Sequence, residues 1–358
     1  MMLKICLTYD YELFMGRNLD TPDNILFNPT QMLKDILLKN GVKGTFFADV
    51  CSAIVYRQQK MPEYSDKFDK QLQDLISAGM DVQLHIHSSW LKAKNVNGEL
   101  ILNQDGYMIH EFGFDESKPW SVQKIICETA EYLRNVCSKA NPDYKCIAYR
   151  AGGFGIQPIE KLGQVLLDNG IVIDSSVAQY IHVSKEENVN YYDFRNIPSK
   201  GNWYFKPESG IFSPTDSGIF EVPIASERPR ISEKILLSQK NRWLPPAQPK
   251  GEFVQYDNSP KVLPRKTISQ KIFSRLDYRI CTLDHRTYRS LFTDMKKLYR
   301  KSGAMKQDIY LCLICHPKML DRARLNNIEK LIQQVKQNPD KFQFVTFRDI
   351  YDDIFENI

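Results

Sequence analysis

Short apolar runs of strand length alternate with helix-length amphipathic stretches from residue 3 to residue 174, and again from 284 to the C-terminal end. That alternation, with short connections, is the signature of parallel βαβ units. Strands are expected over residues 3–8, 42–50, 81–87, 145–150 and 171–174. Helices are expected over 28–40, 68–78, 121–140 and 158–169, three of them stopped by Gly41, Gly79 and Gly170. Residues 90–120 break into turns at Asn97-Gly98 and Asp105-Gly106. A second group holds a helix capped by Asp284 and running to about residue 301, a very apolar strand over 308–315, a helix over 321–337 and a strand over 342–346.

Between the two groups the pattern is lost. Residues 186–280 are rich in proline, aromatic and charged residues, with a strand-like GIFEVPI at 218–224. The chain therefore divides into a barrel-forming part, 1–185 and 281–358, and an irregular insertion, 186–280, packed on it. Within 226–280 twelve Lys/Arg face five Asp/Glu, more than the excess of +5 carried by the whole chain. This basic stretch, with Trp243 and Phe253, is a candidate for holding a nucleotide diphosphate or a lipid pyrophosphate at a membrane surface. A solvated lysine-rich insertion is the slightly preferred explanation. The net charge is mild and there is no recognised nucleic-acid module, so nucleic acid is not an expected partner.

At 358 residues, 42% hydrophobic and 25% charged, the chain has ample core for one large α/β domain with an insertion. No apolar run approaches the roughly 18 residues of a membrane span. The apolar start, 1–7, meets Asp10 too soon for a signal peptide, so the expectation is a cytoplasmic protein. Its eight cysteines are scattered and read as reduced thiols. Cys312 and Cys315 sit three apart in a strand, face opposite sides, and read as core.

The polar residues gather at the C-terminal ends of the expected strands. Asp10 and Glu12 follow the first, His85 and His87 end the third, and Arg150, Asp174 and His316 end three others. In a parallel α/β barrel those ends share one mouth, where active sites are built. His85 and His87, two apart, project to one face, as do Asp10 and Glu12. A lone His-x-His is as readily a hydrogen-bonded core histidine with a solvated neighbour, and paired acids at a strand end as readily a turn. Together they supply a His-His-carboxylate cation site and a second carboxylate free to take a proton from water. His316 could protonate a leaving group. Arg150 needs a carboxylate, with Asp10 and Asp174 available. The turn 152–155 could offer backbone N–H groups to an oxyanion, or be only a tight turn.

The motifs LTYDYE (7–12), TFFADV (45–50), AGMDVQ before the histidines, YRAGGFG (149–155), Asp174-Ser175-Ser176 and LICHP (313–317) occur in the order of the polysaccharide deacetylase (NodB-homology) family, which the chain resembles over about residues 1–180 and 305–350. The likeness is to a divergent branch associated with surface-glycan assembly. It implies a distorted, incomplete (β/α) barrel and metal-dependent removal of an acetyl group from a sugar. By position it makes Asp10 the catalytic base, Arg150 and Asp174 the third- and fourth-motif residues, and His316 the general acid, which Asp174 could tune. Tyr11 stands where the family has a second aspartate, so Glu12 would be the carboxylate ligand. Ser89 stands where it has the second histidine, so His87 would serve instead. Ala151-Gly152-Gly153 replaces the usual prolines. The expected cofactor is a divalent metal, zinc by its donors Glu12, His85 and His87. The expected substrate is a glycan or acylamino sugar, nucleotide- or lipid-linked in one version. Two rivals are a glycan-binding protein on a decayed barrel and an amidase of a non-sugar amide.

Overall fold

The computed structural model describes residues 2–96, 99–102, 105–184, 191–228, 243–252, 278–305 and 307–356. Its main sheet has ten strands, here labelled β1 (Leu3–Tyr11), β2 (Thr45–Asp49), β3 (Asp81–Ile86), β4 (Ala148–Ala151), β5 (Ile173–Asp174), β6 (Trp203–Phe205), β7 (Pro214–Thr215), β8 (Ile219–Glu221), β9 (Ile309–Cys315) and β10 (Phe342–Phe344). Their order is β7-β6-β8-β5-β4-β3-β2-β1-β9, with β10 beside the start of β1. All ladders from β8 through β5 to β9 are parallel, and only β6 runs antiparallel to its neighbours. Single bridges draw the two sides of this open sheet together. Ile224 pairs with Ala178 on one flank and with Cys312 of β9 on the other. The result is the expected distorted, incomplete barrel.

Alternation along each strand separates two cores. Leu3, Ile5, Leu7, Tyr9 and Tyr11 of β1 join Phe46, Val82, Leu84 and Tyr149 against the surrounding helices. Cys6, Phe47, Ala148, Ile173, Phe220, Cys312 and Ile314 fill the barrel floor with Phe347. The side chains that share the floor-facing side of β1 continue upward as Thr8, Asp10 and Glu12. Cys312 faces inward and Cys315 outward, as their spacing requires, and all eight cysteines are free.

Several boundaries differ from expectation. The second strand is shorter than 42–50, because a helix, Val50–Gln58, starts directly at its end and packs on the next helix, Pro62–Ser77. Val50, β-branched and apolar, looks like a last strand residue but opens the helix instead. Asp284 does not cap a helix: the next one is Tyr288–Met305. Ser121 and Asp321 do cap theirs, accepting from the backbone N–H groups of Lys124 and Arg324. Of the stretch 186–280, expected to pack on the barrel as an insertion, residues 191–228 contribute β6, β7 and β8 to the main sheet itself. Most of the basic 226–280 excess, with Phe253, lies outside the described residues. No helix among the described residues is long and apolar enough to cross a membrane.

Phe47 links floor and mouth. Its ring meets Phe347 edge-on at 5.1 Å and lies 4.0 Å beneath the Arg150 guanidinium. Phe47→Ala should cost about 3–5 kcal/mol of unfolding free energy, the usual range for emptying such a site, measured by urea denaturation.

Candidate metal centre

Above Phe47 the interior turns polar in layers. Arg150 ends β4 fully buried, and every part of its fork is used. Nε donates to the Ser175 carbonyl (3.0 Å), Nη2 to Ser175 Oγ (3.0 Å) and Cys312 Sγ (2.9 Å), and Nη1 to Thr8 Oγ1 (3.0 Å) and Asp10 Oδ1 (2.5 Å). This holds one oxygen of Asp10 and leaves the other, Oδ2, facing His316 Nε2 at 3.7 Å and His85 Nε2 at 4.0 Å.

One layer higher lie Glu12, His85 and His87, all buried, with one ligand atom each within 4.8 Å of one another. Glu12 Oε2 sits 3.0 Å from His85 Nε2 and 2.5 Å from His87 Nε2. His85 Nδ1 is 2.8 Å from the Arg150 carbonyl. Only an Nδ1–H can satisfy that oxygen, so Nε2, which faces Glu12, is the nitrogen left to ligate a cation once its proton is displaced, the outer-layer arrangement that metal-ligating histidines show. His87 is set by its backbone, whose N–H donates to Asp49 Oδ1 (3.0 Å). Its ring lies against Gly152, where a Cβ would come within 2.7 Å of Nδ1. The donor set, its burial and the inward-facing Nε2 atoms all fit a divalent cation of the zinc type.

Electrostatics follow from the crowding. Burial alone would push the His85 imidazole down, but Asp10, Glu12 and Asp49 outweigh it and raise it to about 9. Burial opposes ionisation of Glu12, and Lys318, His87 and His85 overcome it, holding its carboxyl well below the usual range. His316 is raised too: burial lowers it, and the charge and hydrogen bond of Asp284, with Asp10 and Glu12, lift it.

Three of these partners, Asp49, Asp284 and Lys318, are not among the expected site residues. Asp284 accepts from the His316 backbone N–H (2.9 Å) and binds its Nδ1 (2.7 Å), while Thr282 steadies the same carboxylate. In the sequence Asp284 looks like a helix cap because it precedes a helical stretch. Lys318, in the short turn after His316, donates from Nζ to Glu12 Oε1 (2.7 Å) and the Leu13 carbonyl (3.1 Å). Its only sequence signal was its place two residues past a strand-end histidine.

Asp174 is the expected site residue that lies elsewhere. It pairs in register with Tyr149, whose ring packs toward the helices, so Asp174 faces the outer layer while its neighbours Ile173 and Ser175 face in. Ser175, not Asp174, meets Arg150. Asp174 accepts from Ser176 N–H (3.0 Å) and Oγ (2.7 Å) and adjoins the buried Glu221, and His316 takes Asp284 in its place.

No family model and no curated protein matches the sequence. Among solved structures the chain is similar to Puue allantoinase, at 9% identity and a TM-score of 0.49 over 100% of this chain and 92% of that one. A Mycobacterium smegmatis structure, provisionally named a polysaccharide deacetylase, follows at 13% identity and 0.47 over 99% and 90%. A family 4 acetyl xylan esterase from Clostridium thermocellum, in complex with a cobalt ion, stands at 11% and 0.37 over 97% and 90%. With every one of these scores below 0.5, the fold and the site stand on the geometry given above.

Two outcomes are expected. A cation must displace the proton of His85, so apparent metal affinity should climb about tenfold per pH unit up to about pH 9, measured by calorimetric titration in several buffers. Burial raises both Asp174 and Glu221. An acid raised on folding contributes most below its unfolded value, about 4, and that contribution is lost as pH rises toward its folded value. Glu221→Gln, still able to donate to Asp174, should therefore gain Tm relative to the parent as pH goes from 5 to 8, read by thermal melts.

Proposed function

We propose that the chain is a metal-dependent hydrolase that removes an acetyl or similar acyl group from an amino sugar of a surface glycan or its precursor, acting in the cytoplasm with zinc. The observation that carries this reading is the position of Asp10. One of its oxygens is fixed by Arg150, and the other stands between His316 and the Glu12-His85-His87 group.

Glu12 Oε2 and the two Nε2 atoms would hold the cation. When bound, it would polarise the acyl carbonyl and make a water more acidic. Asp10 takes the proton from that water through Oδ2, because Arg150 has spent Oδ1. Arg150 also blocks rotation of the carboxylate, so the base keeps its aim without a reorganisation step. His316, held in its protonated form by Asp284, gives a proton from Nε2 to the departing amine. The same imidazole lies 3.7 Å from both Asp10 and Glu12, so it can be recharged after product leaves. The left-handed turn at Gly153 (φ 57°) and Phe154 (φ 63°), next to His87, is the proposed source of backbone N–H donors for the oxyanion.

A nucleotide- or lipid-diphosphate-linked sugar is the form of substrate that the basic 226–280 segment favours. The fold-decayed glycan-binding rival leaves the Asp10–His316 pair without a task, since binding requires no proton transfer.

The test compares Asp10→Asn with His85→Ala. Asp10→Asn should keep the cation, by elemental analysis of the purified protein, and lose at least about a thousandfold in acetate release, the scale of removing a general base and its positioning. His85→Ala should lose both. A fully active Asp10→Asn protein overturns the assignment of the base. A wild type that releases no acetate from any of a panel of N-acetylated glycans and nucleotide sugars overturns the reaction.

A further inference from the structure

Lys318 has no part in the steps above, yet it is a deeply buried cation beside them. Its side chain is 1% exposed. It rides the Pro317–Met319 turn directly after His316, so the backbone that delivers the general acid also delivers an ammonium. That ammonium donates to Glu12 Oε1 at 2.7 Å and to the Leu13 carbonyl at 3.1 Å, and lies 5.1 Å from the Phe14 ring centroid. Burying a lysine is costly unless it is paired and hydrogen-bonded, and here the pairing is spent on a residue of the candidate metal site.

The two oxygens of Glu12 are thereby divided. Oε2 faces both imidazoles and Oε1 faces Lys318. We propose that Lys318 is a positioning residue of the metal centre: it holds Oε1 so that Glu12 offers a cation one oxygen only, and its charge weakens the site's grip on that cation. This rests on the metal reading given under the proposed function. Two physical consequences follow. A carboxylate held through one oxygen cannot swing to bidentate ligation, so a bound cation would have three protein donors and keep positions for water and substrate. A second positive charge within a few ångströms, on a side chain itself buried, would oppose a cation by Coulomb repulsion that solvent screens little. The opposing charge also leaves less of the carboxylate's donation to the cation, which keeps it a stronger Lewis acid.

The length of the side chain matters to this arrangement. Glu12 stands one residue beyond the aspartate place of the motif and is one methylene longer, so its carboxylate reaches past the imidazoles to the 317–319 turn. Lys318 meets the oxygen that overshoots.

The experiment titrates Co2+ into the metal-stripped full-length protein, wild type, Lys318→Met and Lys318→Arg, following the visible absorption of the bound ion. Lys318→Met should bind Co2+ at least about tenfold more tightly and with weaker absorption per ion, since a freed Oε1 raises the coordination number. Lys318→Arg, which keeps the charge, should stay near the wild type. Binding by Lys318→Met where the wild type shows none supports the proposal as well. Wild-type binding with an unchanged affinity and spectrum in Lys318→Met overturns the proposal and leaves the metal reading standing. Absence of binding in both overturns the proposal and the metal reading together. Should Lys318→Met not fold, Lys318→Gln, neutral and shorter, is read by the same criteria.

Discussion

A guanidinium buried at the centre of the barrel governs what surrounds it. Arg150 cannot shed its charge, and water does not reach it, so protein groups must satisfy it completely. They come from β1 (Thr8, Asp10), the end of β5 (Ser175) and β9 (Cys312), with the Phe47 ring of β2 beneath. Those elements must therefore converge at one height, and that height is the boundary between an apolar floor and a polar mouth. Its carbonyl does a second task by fixing the His85 tautomer. One residue thus aims both the candidate base and a candidate ligand.

Every cation at this height meets a carboxylate, and Glu12 serves His85 and His87 as well as Lys318. Arg150 has Asp10, Lys318 has Glu12, and His316 has Asp284. In a poorly solvated interior an unpaired member of any pair would be costly, since its desolvation is not offset. The pairing explains how so many ionisable groups coexist within one mouth. It also explains why Asp174 and Glu221 behave differently. They share the outer layer with each other, and burial pushes both carboxyls up.

Much of the site was legible because strand geometry is strict. A period of two fixes that Asp10 and Glu12 point together, as do His85 and His87, whatever the rest of the chain does. The same rule shows why Asp174 misled. It ends an expected strand like the others, but parity relative to Arg150 depends on register between β4 and β5, and register is not a local property. Asp284 and Lys318 were invisible for a related reason. Neither lies on an expected strand, and each reaches the site through turns whose direction depends on packing. The helix Val50–Gln58 escaped notice because nothing in Val50-Cys51-Ser52-Ala53 distinguishes a buried first turn from continuing strand.

Residue order alone is enough for the alternating strand–helix pattern, the side-chain parity of each polar pair and their place at strand ends, because these follow from backbone periods within a few residues. Which carboxylate meets which cation, the entry of residues 203–221 into the main sheet and the drawing together of its flanks by Ile224 emerge only on folding. Those outcomes depend on contacts between residues far apart in the chain, where burial and hydrogen-bond satisfaction choose among partners that local pattern leaves equivalent.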